Sequence, residues 1–290
     1  MAIIKSATIG KAKGSIDNIT YAYVGGDTIA KGKIAFPKNP RTNRQMRRRV
    51  AWPNLVNLWQ AFEGLDHPSF ELAIGRVSDY NLFMSRNING NQVYLQKDQA
   101  QQGASVVAGY LMSEGSIPAI DTQIANGVGK SDISLGTLVI DEETTVADFS
   151  NAVIQNNSDY ENGDQISCFL FEQRVNSVTG IPYVKVRGSK LVLDSDNINE
   201  LLADVVSPEA FSIVDNKLGT GAAVQGGVCY IHSRVTAHGT EVSTQNIVVA
   251  NSILANYQSD ASRTAAIISY GGNVQREFLT PDLDEIVAPV

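Results

Sequence analysis

A chain of 290 residues, 43% hydrophobic and 18% charged, is long enough to bury two cores and too apolar to stay disordered. Its two cysteines, Cys168 and Cys229, exclude a disulfide framework and a zinc motif, and no apolar run reaches the ~18–20 residues of a membrane span. The formal charge of −7 is unevenly spread: the first fifty residues hold eleven lysines and arginines against Asp17 and Asp27, a net of +9, so the other 240 carry −16.

Such a split predicts that the N-terminal segment docks on something acidic, either a nucleic acid or the acidic remainder of a neighbouring copy. Residues 2–4, 16–24 and 28–36 read as strands, broken at Gly10, Gly14, Gly25-Gly26-Asp27 and Gly32. A ribbon this small is marginal alone, so 1–36 is expected to be a basic docking arm. Pro37 and Pro40 end the strands, and Thr42 or Asn43 is a suitable N-cap for a helix starting at Arg44. Pro53 predicts a kink or a division of that helix, after which Leu55, Leu58, Trp59 and Phe62 share one buried face. A short helix over 78–86, strands over 93–95 and 104–111 and a helical turn over 97–102 complete a first domain, 37–120. Residues 121–140, within a stretch rich in Gly, Ser and Asp, are expected to be a linker.

The second domain, 141–290, begins with a helix over 145–155 and continues as strands over 165–173, 183–187, 190–193, 211–214 and 227–236. Turns are expected at Asn162-Gly163-Asp164 and Arg187-Gly188-Ser189. A helix over 260–270 closes at Gly271-Gly272, and an acidic tail follows from Thr280. The expected class is therefore α+β: an N-terminal β ribbon and helices, then an antiparallel β-rich domain, sandwich- or barrel-like, with a few helices.

The candidate interface residues are Lys31, Lys33, Lys38, Arg41, Arg44, Arg47, Arg48 and Arg49. Arg44 and Arg48 are four apart on one helix face, opposite Met46 and Val50. This patch suits pairing with a neighbour's carboxylates, contact with DNA phosphates, or a solvated face. Trp52 and Trp59 follow the apolar pattern and do not interleave with the arginines as a stacking platform would. His67, His232 and His238 lack acidic or thiol partners at ligand spacing and read as ordinary histidines. The run from Gly219 to Gly227 lacks the following helix and Lys of a phosphate cradle and reads as a mobile loop. No catalytic set and no cofactor motif stands out, and Cys168 and Cys229 read as small buried hydrophobes.

The opening Met1-Ala2-Ile3-Ile4-Lys5, the Gly10 and Gly14 spacing, Asn18, Tyr21 to Tyr23 and Asn39-Pro40-Arg41-Thr42 with Gln45 and Arg48 resemble a family from Bacteroidetes genomes and their gut phages, crAss-like phages among them. The likeness runs over about residues 1–62 and returns near 106–120 and 241–257. It implies a non-enzymatic virion component made in the host cytoplasm, with copies of itself, the portal and tail proteins as partners. A ring at the portal, neck or tail is the expected assembly, with no membrane partner. A DNA-contacting packaging protein using the same arginines is the alternative, because Arg47-Arg48-Arg49 is more basic than the pattern requires. A receptor- or carbohydrate-binding tail module is a third reading.

Overall fold

The computed structural model describes residues 2–4, 13–24, 26–34, 36, 41–65, 69–71, 77–90, 92–250 and 252–272. The N-terminal sheet comprises β1 (Ala2–Ile4), β2 (Gly14–Ile16), β3 (Ile19–Val24) and β4 (Asp27–Gly32), all antiparallel in the order β1-β4-β3-β2. Gly26, at φ 90°, supplies the left-handed backbone of the tight connection from β3 to β4. Among the described residues, no core cluster has a member before Met46, so this sheet lies outside the cores.

Helix α1 (Asn43–Phe62) starts at Thr42, whose hydroxyl accepts from Gln45 N while the Gln45 side chain accepts from Thr42 N, a reciprocal cap. The expected division at Pro53 does not occur; α1 runs unbroken through it. Proline forfeits one ladder hydrogen bond, and the buried faces on both sides outweigh it. Met46 and Val50 pack on Ala266 and Ile267, and Leu55, Leu58 and Phe62 enter a larger core.

Next come α2 (Asp79–Asn87), capped by the Ser78 hydroxyl, and α3 (Lys97–Gln101). The strands expected over 93–95 and 104–111 are corrected: residues 92–96 and 104–110 belong to no ladder, and only β5 (Leu111–Ser113) does. Side-chain amides stand in for the missing neighbour strand. Asn54 of α1 accepts from Val106 N at 2.7 Å and donates to Val106 O at 2.9 Å. Gln173 accepts from Val107 N at 2.9 Å and donates to Ser105 O at 3.1 Å. The segment is thus buried with the amides of Ser105, Val106 and Val107 hydrogen-bonded but without a ladder.

Residues 121–140 are no bare linker. They carry the hairpin β6 (Thr122–Ala125) and β7 (Val128–Ser134), with Asn126 at φ 52° and Gly127 at φ 79° in its turn. Helix α4 (Val146–Asn156) is capped by Thr145 and Asp148. Then β8 (Gln165–Val175) and β9 (Pro182–Val192) pair along their full length. The turn expected at Gly188 is corrected, since Gly188 lies inside β9. A Cβ there would sit 3.2 Å from both Leu65 Cδ1 and Phe169 Cε1, so glycine marks a close approach rather than a bend.

After α5 (Leu202–Val205) come β10 (Ser212–Val214) and β11 (Lys217–Gly219), which extend the β7–β6 sheet. Strand β12 (Gly227–Thr236) pairs with β8, β13 (Gly239–Val242) and β15 (Val248–Val249); β14 (Gln245–Asn246) pairs with β5. The described residues close with α6 (Ala255–Gln258) and α7 (Asp260–Ser269), with Gly271 at φ 74° after the helix.

The sheet β13-β12-β8-β9 is a wall between two cores, and the alternation of its side chains sets which core each residue joins. Phe169, Phe171, Cys229 and Ile231 face α1, α2 and the 104–112 segment. Ile166, Cys168, Val228 and Tyr230 face α4, Leu218 of β11 and Ile133 of β7. The fold is α+β with antiparallel sheets, as expected.

Candidate docking surface

The pleat makes the N-terminal sheet two-faced. Cross-strand pairing puts Ile16, Ile19, Tyr21 and Tyr23 on one face, and Ser15, Thr20 and Lys31 on the other. Ile16 is 72% exposed, an unusual placement for isoleucine. Lys31 and Lys33 are exposed at the outgoing end of the sheet, followed by Ile34 at 75% and Phe36 at 91% exposure. Lys38 lies outside the described residues.

Arg41 ties the start of α1 to the end of α7: its Nη1 donates to Gly271 O at 3.0 Å, beside the C-terminus of that helix. Arg44 and Arg48 are exposed on α1, whereas Arg47 and Arg49 are half-buried. Arg44, Arg47 and Arg49 are each already engaged by another group of the protein. Trp52 departs from expectation. It is 45% exposed and continues the spacing of Arg44 and Arg48, giving an Arg–Arg–Trp strip along one side of α1. The neighbours Ala51 and Val50 are buried, and in the sequence they draw an apolar residue inward with them. Trp59 is half-buried and meets Phe62, Tyr80 and Phe83 edge-on or tilted, with centroids 4.8, 5.6 and 5.4 Å away.

The most concentrated polar cluster was not legible as a site. Asp164, at the turn into β8, accepts from His232 Nε2 at 2.8 Å and from Arg234 Nε and Nη2, each at 2.7 Å. Tyr160 stacks on the His232 ring at 4.2 Å and 16°. Burial works to raise the Asp164 pKa, but the hydrogen bonds from Arg234, His232 and the Glu161 amide hold the carboxyl well below the usual range. Both Asp164 and His232 side chains are 1% exposed, so the cluster clamps the turn before β8 to β12. Ser243 Oγ meets the His232 backbone N at 3.0 Å, not the ring, so the serine is not placed as a nucleophile on that imidazole. His238 stands apart, exposed in the β12–β13 turn; His67 lies outside the described residues.

The glycine run from 219 to 227 is pinned, which corrects the mobile loop. Thr220 N donates to Gly129 O at 2.8 Å, Gly221 N to Glu209 O at 3.1 Å and Val224 N to Gly127 O at 2.7 Å. A Cβ on Gly226 would lie 2.2 Å from Phe171 O, so here too glycine serves backbone contact. Cys168 and Cys229 are buried, and burial pushes the Cys168 thiol up to about 12. Among the described residues, no group of His, Cys, Asp or Glu is placed to hold a metal ion, and no helix is long and apolar enough to cross a membrane.

Comparison with family models, with curated proteins and with solved structures gives no match.

Proposed function

We propose that this chain is a non-enzymatic structural subunit of a bacteriophage virion, assembling in many copies into a ring at the portal, neck or tail. The observation that carries the assembly is the N-terminal basic segment. It builds a sheet outside the described cores and bares Ile34 and Phe36 next to Lys33, with Ile16 exposed on the face opposite Lys31. Exposed apolar side chains beside exposed lysines are the mark of a surface that is covered in use. The Arg44–Arg48–Trp52 strip adds the residue types that dominate interface energetics. The phage setting, with portal and tail proteins as neighbours, is what the resemblance over residues 1–62 implies.

Sedimentation and negative-stain imaging across concentration test the reading. The expected result is closed multi-copy particles; a monomer at every concentration overturns it. The packaging alternative draws on the exposure of Arg48 and Trp52, and a gel-shift titration separates the two. Under the structural reading, duplex DNA binds no better than the ~10⁻⁴–10⁻⁶ M of non-specific contact at physiological salt. Tight binding with a steep salt dependence supports packaging instead.

A further inference from the structure

Two stretches of the chain carry carboxylates and no Lys, Arg or His: residues 131–173 with nine, and 191–216 with six. The fold lays them side by side. Val146 N donates to Glu200 O at 2.9 Å, Ala147 N to Asn197 O at 3.0 Å and Leu202 N to Thr144 O at 2.9 Å. Beside the start of α4 lies a groove of about 540 Å3 whose walls, all from the first stretch, include Leu138, Val139, Asp141 and Glu143. Each stretch also bares a branched aliphatic side chain, Val139 at 74% exposure on the first and Ile198 at 68% on the second. Carboxylates alone are content in water. Glu161, Asp164, Glu172, Glu209 and Asp215 are paired with basic side chains brought in by the fold, whereas the exposed Asp141, Glu142 and Glu143 stand next to the exposed Val139 in the sequence, a combination that a basic and apolar partner fits.

We infer that this face receives the basic arm of a second copy of the chain, with Lys31 and Lys33 pairing with Asp141, Glu142 and Glu143 while Ile34 and Phe36 cover Val139 and Ile198. The inference rests on the assembly reading above and names the receiving surface. The occupant follows from complementarity: the arm offers cations and exposed apolar side chains, the groove offers anions and an exposed apolar side chain, and among the described residues of one chain both stand exposed. A nucleic acid is repelled by this face. Because the two patches differ, the contact is heterologous, and repetition closes a ring or runs on as a filament.

A charge exchange tests it. One variant, Lys31→Glu with Lys33→Glu, makes the arm acidic; the other, Glu142→Lys with Glu143→Lys, makes the groove basic. Each variant alone presents like charges at the contact and is expected to sediment as a monomer. An equimolar mixture restores opposite charges in both orientations and is expected to recover assembly. A mixture that stays monomeric while the native chain assembles overturns this surface and leaves the assembly reading standing. A native chain that never assembles overturns both. Far-UV circular dichroism and thermal unfolding of each variant establish that it is folded. Phe36→Ser, which alters no charge, must also weaken assembly; unchanged assembly in that variant overturns the apolar half of the contact.

Discussion

Four hydrogen bonds converge on the Asp164 carboxylate, from His232, the Glu161 amide and two nitrogens of Arg234. A buried carboxylate is costly unless it is paired and hydrogen-bonded, and here the Arg234 guanidinium and the His232 ring meet its two oxygens. Removing one partner of a buried ion pair costs about 3–5 kcal/mol, because the remaining charge stays uncompensated. Asp164→Ala is therefore expected to lose about that much stability in urea unfolding. The pH dependence has a definite sign. The folded-state pKa of Asp164 is lowered, so its stabilisation is fully present above the ~3.9 of an unfolded aspartate and is lost as the pH falls through the lower folded value. The stability gap between native chain and variant should stay constant from pH 8 to pH 5 and narrow only in strong acid. A gap that already closes between pH 7 and pH 6 overturns this account.

Local chemistry wrote several elements plainly into the sequence. Thr42 with Gln45, Ser78, Thr145 with Asp148 and Ser259 each start a helix by the hydrogen bond their side chains make, and that bond is a short-range event. Strands β8 and β12 were equally readable from their apolar runs. What was illegible depended on distant partners. Residues 104–107 are apolar enough for a strand, yet their backbone pairs with Asn54 and Gln173, 52 and 66 positions away. Gly188 looks like a turn until Leu65 and Phe169 are seen against it, and Asp164 reads as a turn residue because its partners lie 68 and 70 residues away. Asn54→Leu tests the first of these. It strands a buried N–H and C=O of Val106, at ~1–3 kcal/mol for each group left unpaired. Thermal unfolding should show a loss well beyond that of Asn57→Leu, whose amide donates a single bond, to Ala104 O. On the same helix, Trp59→Ala removes an aromatic packed on three rings and should cost about 3 kcal/mol. Trp52→Ala, on the exposed strip, should leave subunit stability within ~0.5 kcal/mol and weaken assembly, a split visible by pairing unfolding with sedimentation.

At the scale of the molecule, one sheet serves two cores, so the expected boundary between a first and a second domain does not divide the hydrophobic interior. Phe169 and Phe171 of β8 belong to one core, and Ile166 and Cys168 of the same strand to the other. Removing either layer exposes a face of that sheet, and the body should unfold in a single cooperative transition. The N-terminal sheet stands in a different relation to the whole. Among the described residues it lends no side chain to any core cluster, and the first helix is anchored independently of it through Met46 and Val50 on α7 and through Arg41 at Gly271. On the proposed assembly reading, stability and assembly are carried by separate parts of the chain. Deleting residues 1–36 removes five of the eleven basic residues of the first fifty together with Ile16, Ile34 and Phe36, and leaves Thr42 to cap α1. The truncated chain should keep the melting temperature of the native subunit to within a few degrees and remain a monomer by light scattering at concentrations where the full chain assembles. A truncation that unfolds shows that the arm belongs to the fold. A truncation that assembles as the full chain does shows that the contacts between copies lie on the body, with Arg48 and Trp52 the first residues to change.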